Sequence, residues 1–337
     1  MNKRNYNVEC LRVIMMILII MLHLSGEFYD LGKVALISNN IEISSVFGFR
    51  SLLMVGVSTF AFISGYYGIS PKGRTKKLIS YELMALELGG AILFLECILG
   101  KLCYRDILVF FMPISSGCCW YFSAYMMLLV FVPIISKGLE QLNKEQFLLI
   151  VIAILIIGYL GYWIFNVLST DFLTLLCVYL IGRYIRLYPI ECLNKLKIWH
   201  LAIAVLINFA ISSSLVFFGF GKAIKFIENN HNPLILITAI AFFFVFQKHK
   251  ENVVAQQMSR LAKYSFPVYI AHVSLLHAGV IDFKSYQIVS PIISVILYAF
   301  VVYMVFSFVE VLRLHLALPL NRFVEKQTVL IVEKFKK

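Results

Sequence analysis

Residues 8–28 read VECLRVIMMILIIMLHLSGEF. The run is built largely of Leu, Ile and Met, and about 20 such residues cross the hydrocarbon core of a bilayer as a helix. Working outward from it, nine further apolar stretches follow, at 46–69, 78–99, 120–136, 146–166, 168–187, 198–220, 232–247, 264–282 and 290–312. The stretch 105–114 (RDILVFFMPI) is apolar but too short to span, and reads as an interfacial or re-entrant piece. The count is therefore ten, with eleven as the alternative. The whole composition agrees: 61% of the 337 residues are hydrophobic and only 14% charged, with a mean hydropathy of +0.87. Soluble chains hold about 25% charged residues, so too few polar side chains are present to cover a water-facing surface. A disordered chain, a collagen-like fibre and a disulfide scaffold are excluded with it. The fold expected is all-α, a polytopic membrane bundle of about ten transmembrane helices.

The net charge of +12 would suggest nucleic acid in a soluble domain. Here it is distributed as a membrane topology, so no nucleic-acid partner is expected. With the N-terminus in the cytoplasm, 22 of the 30 Lys and Arg fall in inside segments and 6 in outside segments; Arg12 and Arg50 lie within the spans. Basic residues are retained on the cytoplasmic side, so both termini are expected inside. The first stretch is too long for a cleaved signal peptide and lacks a small-residue cleavage site, so the first helix is expected to stay. The organisation expected is a transmembrane domain over 1–315 and an amphipathic cytoplasmic tail over 316–337, lying on the inner leaflet. Seven cysteines, at 10, 97, 103, 118, 119, 177 and 192, show no metal-ligand spacing with His. No metal is expected. A disulfide among Cys103, Cys118 and Cys119 is an alternative to plain small apolar packing.

Ionisable groups at membrane depth are costly and usually face the bundle interior. The first helix carries Glu9, Arg12 and His23. Eleven residues at about 100° each bring His23 back onto the Arg12 face, about 16 Å along the axis. A fixed cation near the cytoplasmic end and a titratable base beyond the midplane form a polar track for an anionic substrate. The plain alternative is a snorkelling Arg and a backbone-bonded His. The second span contains Arg50 and then Ser64-Gly65-Tyr66, where the glycine permits close approach. Lys72, Arg74, Lys76 and Lys77 follow as a cytoplasmic basic cluster, suited to phosphates or to anionic lipid. Glu87 is the deepest acid of the third span and the expected partner for a cation. Trp120-Tyr121 open the fourth as an interfacial belt or a sugar-stacking platform. His272 lies near mid-depth in the ninth.

The run Tyr6 to Arg12, with His23 eleven residues on, resembles the N-terminal signature of the acyltransferase 3 family, an Arg, ten residues and a His on the first transmembrane helix. Arg50 with the phenylalanine-bearing run Gly56 to Tyr66, the basic residues after it, Trp120-Tyr121, and Ser265 to His272 are similar to further family features. Glu9 stands where Asp is usual, Ser58 where Pro is common, and the basic residue after Ser64-Gly65 is displaced downstream. The resemblance implies a ten-helix bundle that moves an acyl group, commonly acetyl, from cytoplasmic acyl-CoA to a hydroxyl of a cell-surface or lipid-linked glycan. No bound cofactor is implied, since acyl-CoA is a substrate. The resemblance makes His23 the catalytic His, Arg12 its paired Arg, and Arg74 or Lys72 the donor-binding basic group. Arg50, Ser64, Tyr66, Trp120, Glu87 and His272 are the acceptor-side or supporting candidates, with Arg50, Ser64 or Tyr66 available to stabilise the oxyanion. The implied location is a bacterial cytoplasmic membrane, and association with a second copy is left open. Other classes compete: a transporter or flippase, which should show inverted repeats, a non-catalytic envelope protein, which should tolerate loss of His23, and a glycan polymerase, which should carry large outside loops.

Overall fold

The computed structural model describes residues 5–29, 40–69, 74–160, 171–220, 222–288 and 290–334. It is helical throughout, with no strand among the described residues. In chain order the helices are α1 (Tyr6–Phe28), α2 (Ile41–Leu53), α3 (Val55–Tyr67), α4 (Arg74–Ile98), α5 (Tyr104–Phe111), α6 (Trp120–Glu140) and α7 (Lys144–Leu155). After a π-turn at Ile156–Leu160 come α8 (Asp171–Leu187), α9 (Glu191–Asn194), α10 (Ile198–Phe217), α11 (Ala223–Ile227), α12 (Pro233–Lys248), α13 (Val253–Ser259), α14 (Ser265–His277) and α15 (Pro291–Lys334).

Six helical segments among the described residues are long and apolar enough to cross a membrane. These are α1, the α2–α3 pair, α4, α6, α10 and the first part of α15. Counting α12 with Val253–His277, a pair bent by 119°, makes seven. The protein is thus a multi-span membrane protein. The sequence predicts about ten spans, and the difference lies at 146–166, 168–187, 232–247 and 264–282. There the described residues form helices of 12, 17, 16 and 13 residues, against about 20 for one straight span. Residues 161–170 lie outside the described residues. The short apolar stretch near 105–114 forms the eight-residue α5. The chain does not stop being helical at 316: α15 continues through Pro319 to Lys334. All seven cysteines are free thiols.

The chain divides into two compact units. The first comprises residues 1–68, 139–263 and 283–300. Its centre is α1, capped by Asn5, whose side chain accepts from the Asn7 and Val8 amides at 3.0 and 3.2 Å. Small residues set how the helices pack. A β-carbon on Gly56 would lie 2.8 Å from the Met15 carbonyl of α1; one on Gly65 would lie 2.0 Å from the Tyr179 carbonyl of α8; one on Gly182 would lie 2.6 Å from the Phe62 carbonyl of α3. Backbones therefore touch where the apolar code is otherwise uniform, as interfaces between lipid-embedded helices require. The second unit comprises 69–138, 264–282 and 301–337. Here α4 and α15 are joined by Arg313, whose Nε and Nη2 grip Glu310 at 2.6 and 2.8 Å while Nη1 bonds Glu87. Tyr81, Tyr121, Tyr125 and Phe266 form an aromatic cluster, with Tyr81 and Phe266 centroids 4.8 Å apart.

Candidate functional site

α1 carries the two residues that the spacing places on one face, and its N-terminal end is tied to the C-terminal end of α12. Asn5 Nδ2 donates to the Gln247 carbonyl at 2.8 Å, and Asn7 donates to the His249 carbonyl. Arg12 lies one turn further in. It is half-buried, and its Nη1 pairs with Glu9 Oε1 at 3.2 Å. Near it the hydroxyl of Tyr67 is hydrogen-bonded to the Gln247 side chain, within electrostatic reach of both Arg12 and Arg186. The Arg186 guanidinium stands 5.2 Å over the Tyr66 ring. Gly68 ends α3 with φ +72°, a left-handed turn that glycine adopts freely. The Arg183 guanidinium lies beside it, with Nη1 3.1 Å from where a β-carbon would sit. Lys248 completes this end, with Nζ donating to the Leu193 carbonyl at 2.9 Å. Four cations from three helices therefore share this end: Arg12 and Arg186 act on Tyr67, Arg183 lies beside Gly68, and Lys248 turns its ammonium to Leu193. Only one carboxylate, Glu9, is paired with any of them among the described residues. Such a cluster suits a polyanion, with arginine offering forked donors to phosphate.

His23 lies at the other end of α1 and is half-buried. On the face between it and Arg12, Met16 and Ile19 are buried at 1% and 5% exposure. The middle of that face is apolar rather than a continuous polar track. Around His23 the backbone is held by Arg50, whose Nη1 donates to the Leu22 carbonyl at 3.2 Å and to Ser25, while Nε donates to Glu228 Oε1 at 2.6 Å.

The remaining sequence candidates fall as follows. Arg50 donates from Nε to Glu228 and from Nη1 to Leu22 and Ser25, which makes it a brace for α1. Ser64 bonds its own helix, donating to the Phe60 carbonyl at 2.9 Å. It and Tyr66 stand at the Arg12 end, because α3 runs antiparallel to α1 with Gly56 against Met15. Neither can then serve as an oxyanion donor beside His23, which the sequence proposed for them. Lys72 lies outside the described residues. Arg74 begins α4, and its side chain lies outside them as well. In the second unit, Glu87 takes Arg313 as its cation. His272 is 1% exposed, and its Nδ1 donates to the Val268 carbonyl at 2.8 Å. Trp120 packs edge-on to Tyr121 at 5.7 Å.

Sequence reasoning counted Arg183, Arg186 and Lys248 only as positive-inside charge, and passed over Glu228 and His231. Arg183 and Arg186 did leave a signal: they sit three apart at the end of an apolar stretch, so they share one face of a helix end. Glu228 and His231 left none, because loop residues have no periodicity.

The described helices define a multi-span helical membrane protein with a histidine deeper along the same helix as its cation-bearing end. The chain belongs to the acyltransferase 3 family, whose acyltransferase-domain model matches residues 5–310. It is a membrane acyltransferase by that membership. No curated protein and no solved structure matches the chain.

Proposed function

We propose that the protein transfers an acyl group, acetyl in the first instance, from cytoplasmic acyl-CoA to a hydroxyl of a cell-surface or lipid-linked glycan, in a bacterial cytoplasmic membrane. The observation that carries this is the placement of Arg12 and His23 on one helix face, with the Arg12 end surrounded by Arg183, Arg186, Lys248 and Tyr67. The donor's phosphates bind that cation cluster, while Arg74 and Lys72 stay donor-binding candidates through the family resemblance. Its uncharged pantetheine arm brings the thioester toward His23. Both termini then lie in the cytoplasm, with about ten helices in the membrane and residues 316–337 on the inner leaflet.

A neutral His23 accepts the proton of the glycan hydroxyl as its oxygen attacks the thioester carbonyl. The carbon–sulfur bond breaks, and the CoA sulfur leaves with the proton that His23 returns. A positioned base of this kind contributes about 10²–10⁴ in rate. Glycan stacking on Trp120 is the acceptor-side role for that residue, and Glu87 and His272 support the second unit.

The test uses purified full-length protein, labelled acetyl-CoA and lipid-linked glycan. His23→Ala should lose at least a hundredfold in kcat while donor affinity is kept. Arg12→Ala, Arg183→Ala and Arg186→Ala should each weaken donor affinity severalfold. Wild-type turnover in a well-inserted His23→Ala protein removes the base. Unchanged acyl-CoA affinity in all three arginine variants removes the donor site. Glycan movement without label transfer would favour a flippase.

A further inference from the structure

The last turns of α1 are held from outside the helix. Arg50, 7% exposed in α2, bonds Leu22 and Ser25, which flank His23 in the chain, and pairs with Glu228. Glu228 directly follows α11, and the residue before it, Ile227, is wholly buried in a cluster with Phe47 of α2, Val216 and Ala223. The position of the carboxylate is therefore set by apolar packing. Three residues on, His231 is 5% exposed, with Nε2 2.8 Å from Thr174 Oγ1 of α8 and Nδ1 2.6 Å from Asn229 Oδ1. An amide oxygen only accepts, so in the neutral ring Nδ1 carries the proton and Nε2 accepts from the threonine hydroxyl. Asn232 closes the segment by capping α12, its Oδ1 accepting from the Leu234 amide at 2.9 Å. Five consecutive residues thus tie α2, α8 and α12 together and deliver one carboxylate to the arginine that grips α1.

We infer that the Glu228–Asn232 segment positions the His23 end of α1, with Glu228, acting through Arg50, and His231, acting through the segment, as positioning residues for acyl transfer. The inference rests on the reading of His23 as the base. A general base works only when its ring is held within about 0.5 Å of the productive geometry. Two spread hydrogen bonds from one guanidinium to Leu22 and Ser25 fix both the height and the rotation of the turn. The carboxylate keeps the guanidinium in place through a charge-assisted bond. His231, neutral and doubly bonded, fixes the segment without adding a charge of its own.

The experiment compares full-length wild type with Glu228→Ala, Glu228→Gln, His231→Asn and His23→Ala. It reads amide hydrogen exchange over residues 20–28, with 6–12 as the internal reference, alongside kcat and donor KM. Glu228→Ala should speed exchange over 20–28 about tenfold while 6–12 is unchanged. Its kcat should fall about tenfold with donor KM within twofold. Glu228→Gln keeps an acceptor oxygen and should recover most of both, and His231→Asn should give the same pattern more weakly. Unchanged exchange over 20–28 in both Glu228→Ala and His231→Asn overturns the inference. So does exchange that rises equally at 6–12, or full kcat despite loosening at 20–28. Should Glu228→Ala fail to fold, His231→Asn decides by the same criteria. If His23→Ala retains activity, the base assignment is lost, and the exchange data alone decide whether the segment holds α1.

Discussion

His231 holds its ring between Thr174 and Asn229 with almost no contact with solvent, and burial pushes its pKa down to about 4. Unfolded, the group titrates near 6.5. Between those values the unfolded chain binds the extra proton and the folded chain does not. Stability is therefore lost as pH falls from about 6.5 to about 4, and His231 adds no pH dependence above that window. Unfolding midpoints in detergent should drop across it, and His231→Asn should flatten the drop. An unchanged acid limb in that variant would assign it to other groups. Cys118 makes the complementary case. Hydrogen bonding from Cys119, then from His277, with Arg105 nearby, holds its thiol well below the ordinary range, at about 5. It should react with a maleimide at pH 6 at least tenfold faster than Cys192, as peptide mass spectrometry would show. Arg12 and His23 were legible in the sequence because both are rare at membrane depth and eleven residues apart. Arg183 was not, because its place beside Gly68 depends on how α3 and α8 cross.

At the level of elements, glycines and one arginine decide what packs on what. Gly65→Ala sets a β-carbon against the Tyr179 carbonyl, a backbone atom that cannot swing away. Overpacking of this sort costs about 1–3 kcal/mol or more. Gly138→Ala meets nothing within 4 Å and, as an exposed helix position, should hold the unfolding midpoint or raise it slightly. Equal midpoints for the two variants would refute the tight α3–α8 crossing. Arg313 binds Glu310 and Glu87 with a side chain only 12% exposed. Arg313→Met strands two carboxylates, a loss of about 3–5 kcal/mol, and the Glu87→Gln, Glu310→Gln, Arg313→Met triple variant should regain part of it in a melting assay. The apolar stretches showed that these helices exist. Their ends were less legible: 46–69 became two helices meeting at Met54, and 264–282 became 13 residues of α14. Breaks of this kind come from packing and local turns, which a hydropathy window averages away.

For the whole molecule, the proposed orientation, with both termini in the cytoplasm, puts residues 100–119 outside and 188–197 inside. An impermeant maleimide applied to intact cells should therefore label the exposed Cys103 and the half-exposed Cys118, and should reach the exposed Cys192 only after permeabilisation. Labelling of Cys192 in intact cells would reverse the orientation. Family membership was legible in the Arg12–His23 spacing together with the Gly56–Tyr66 run, Trp120-Tyr121 and Ser265–His272, since each survives as a local pattern in the chain.

The sequence by itself determined that this is a helical membrane protein of the acyltransferase 3 family, because hydropathy and helical periodicity are local and need no knowledge of neighbours. Only the tertiary structure decided that Arg183, Arg186 and Lys248 share the Arg12 end, that Ser64 and Tyr66 stand away from His23, and that Arg50 and Glu228 hold α1. Each of these joins residues from different helices, and which helices meet is set by where backbones can approach, at Gly56, Gly65 and Gly182, which no linear spacing records.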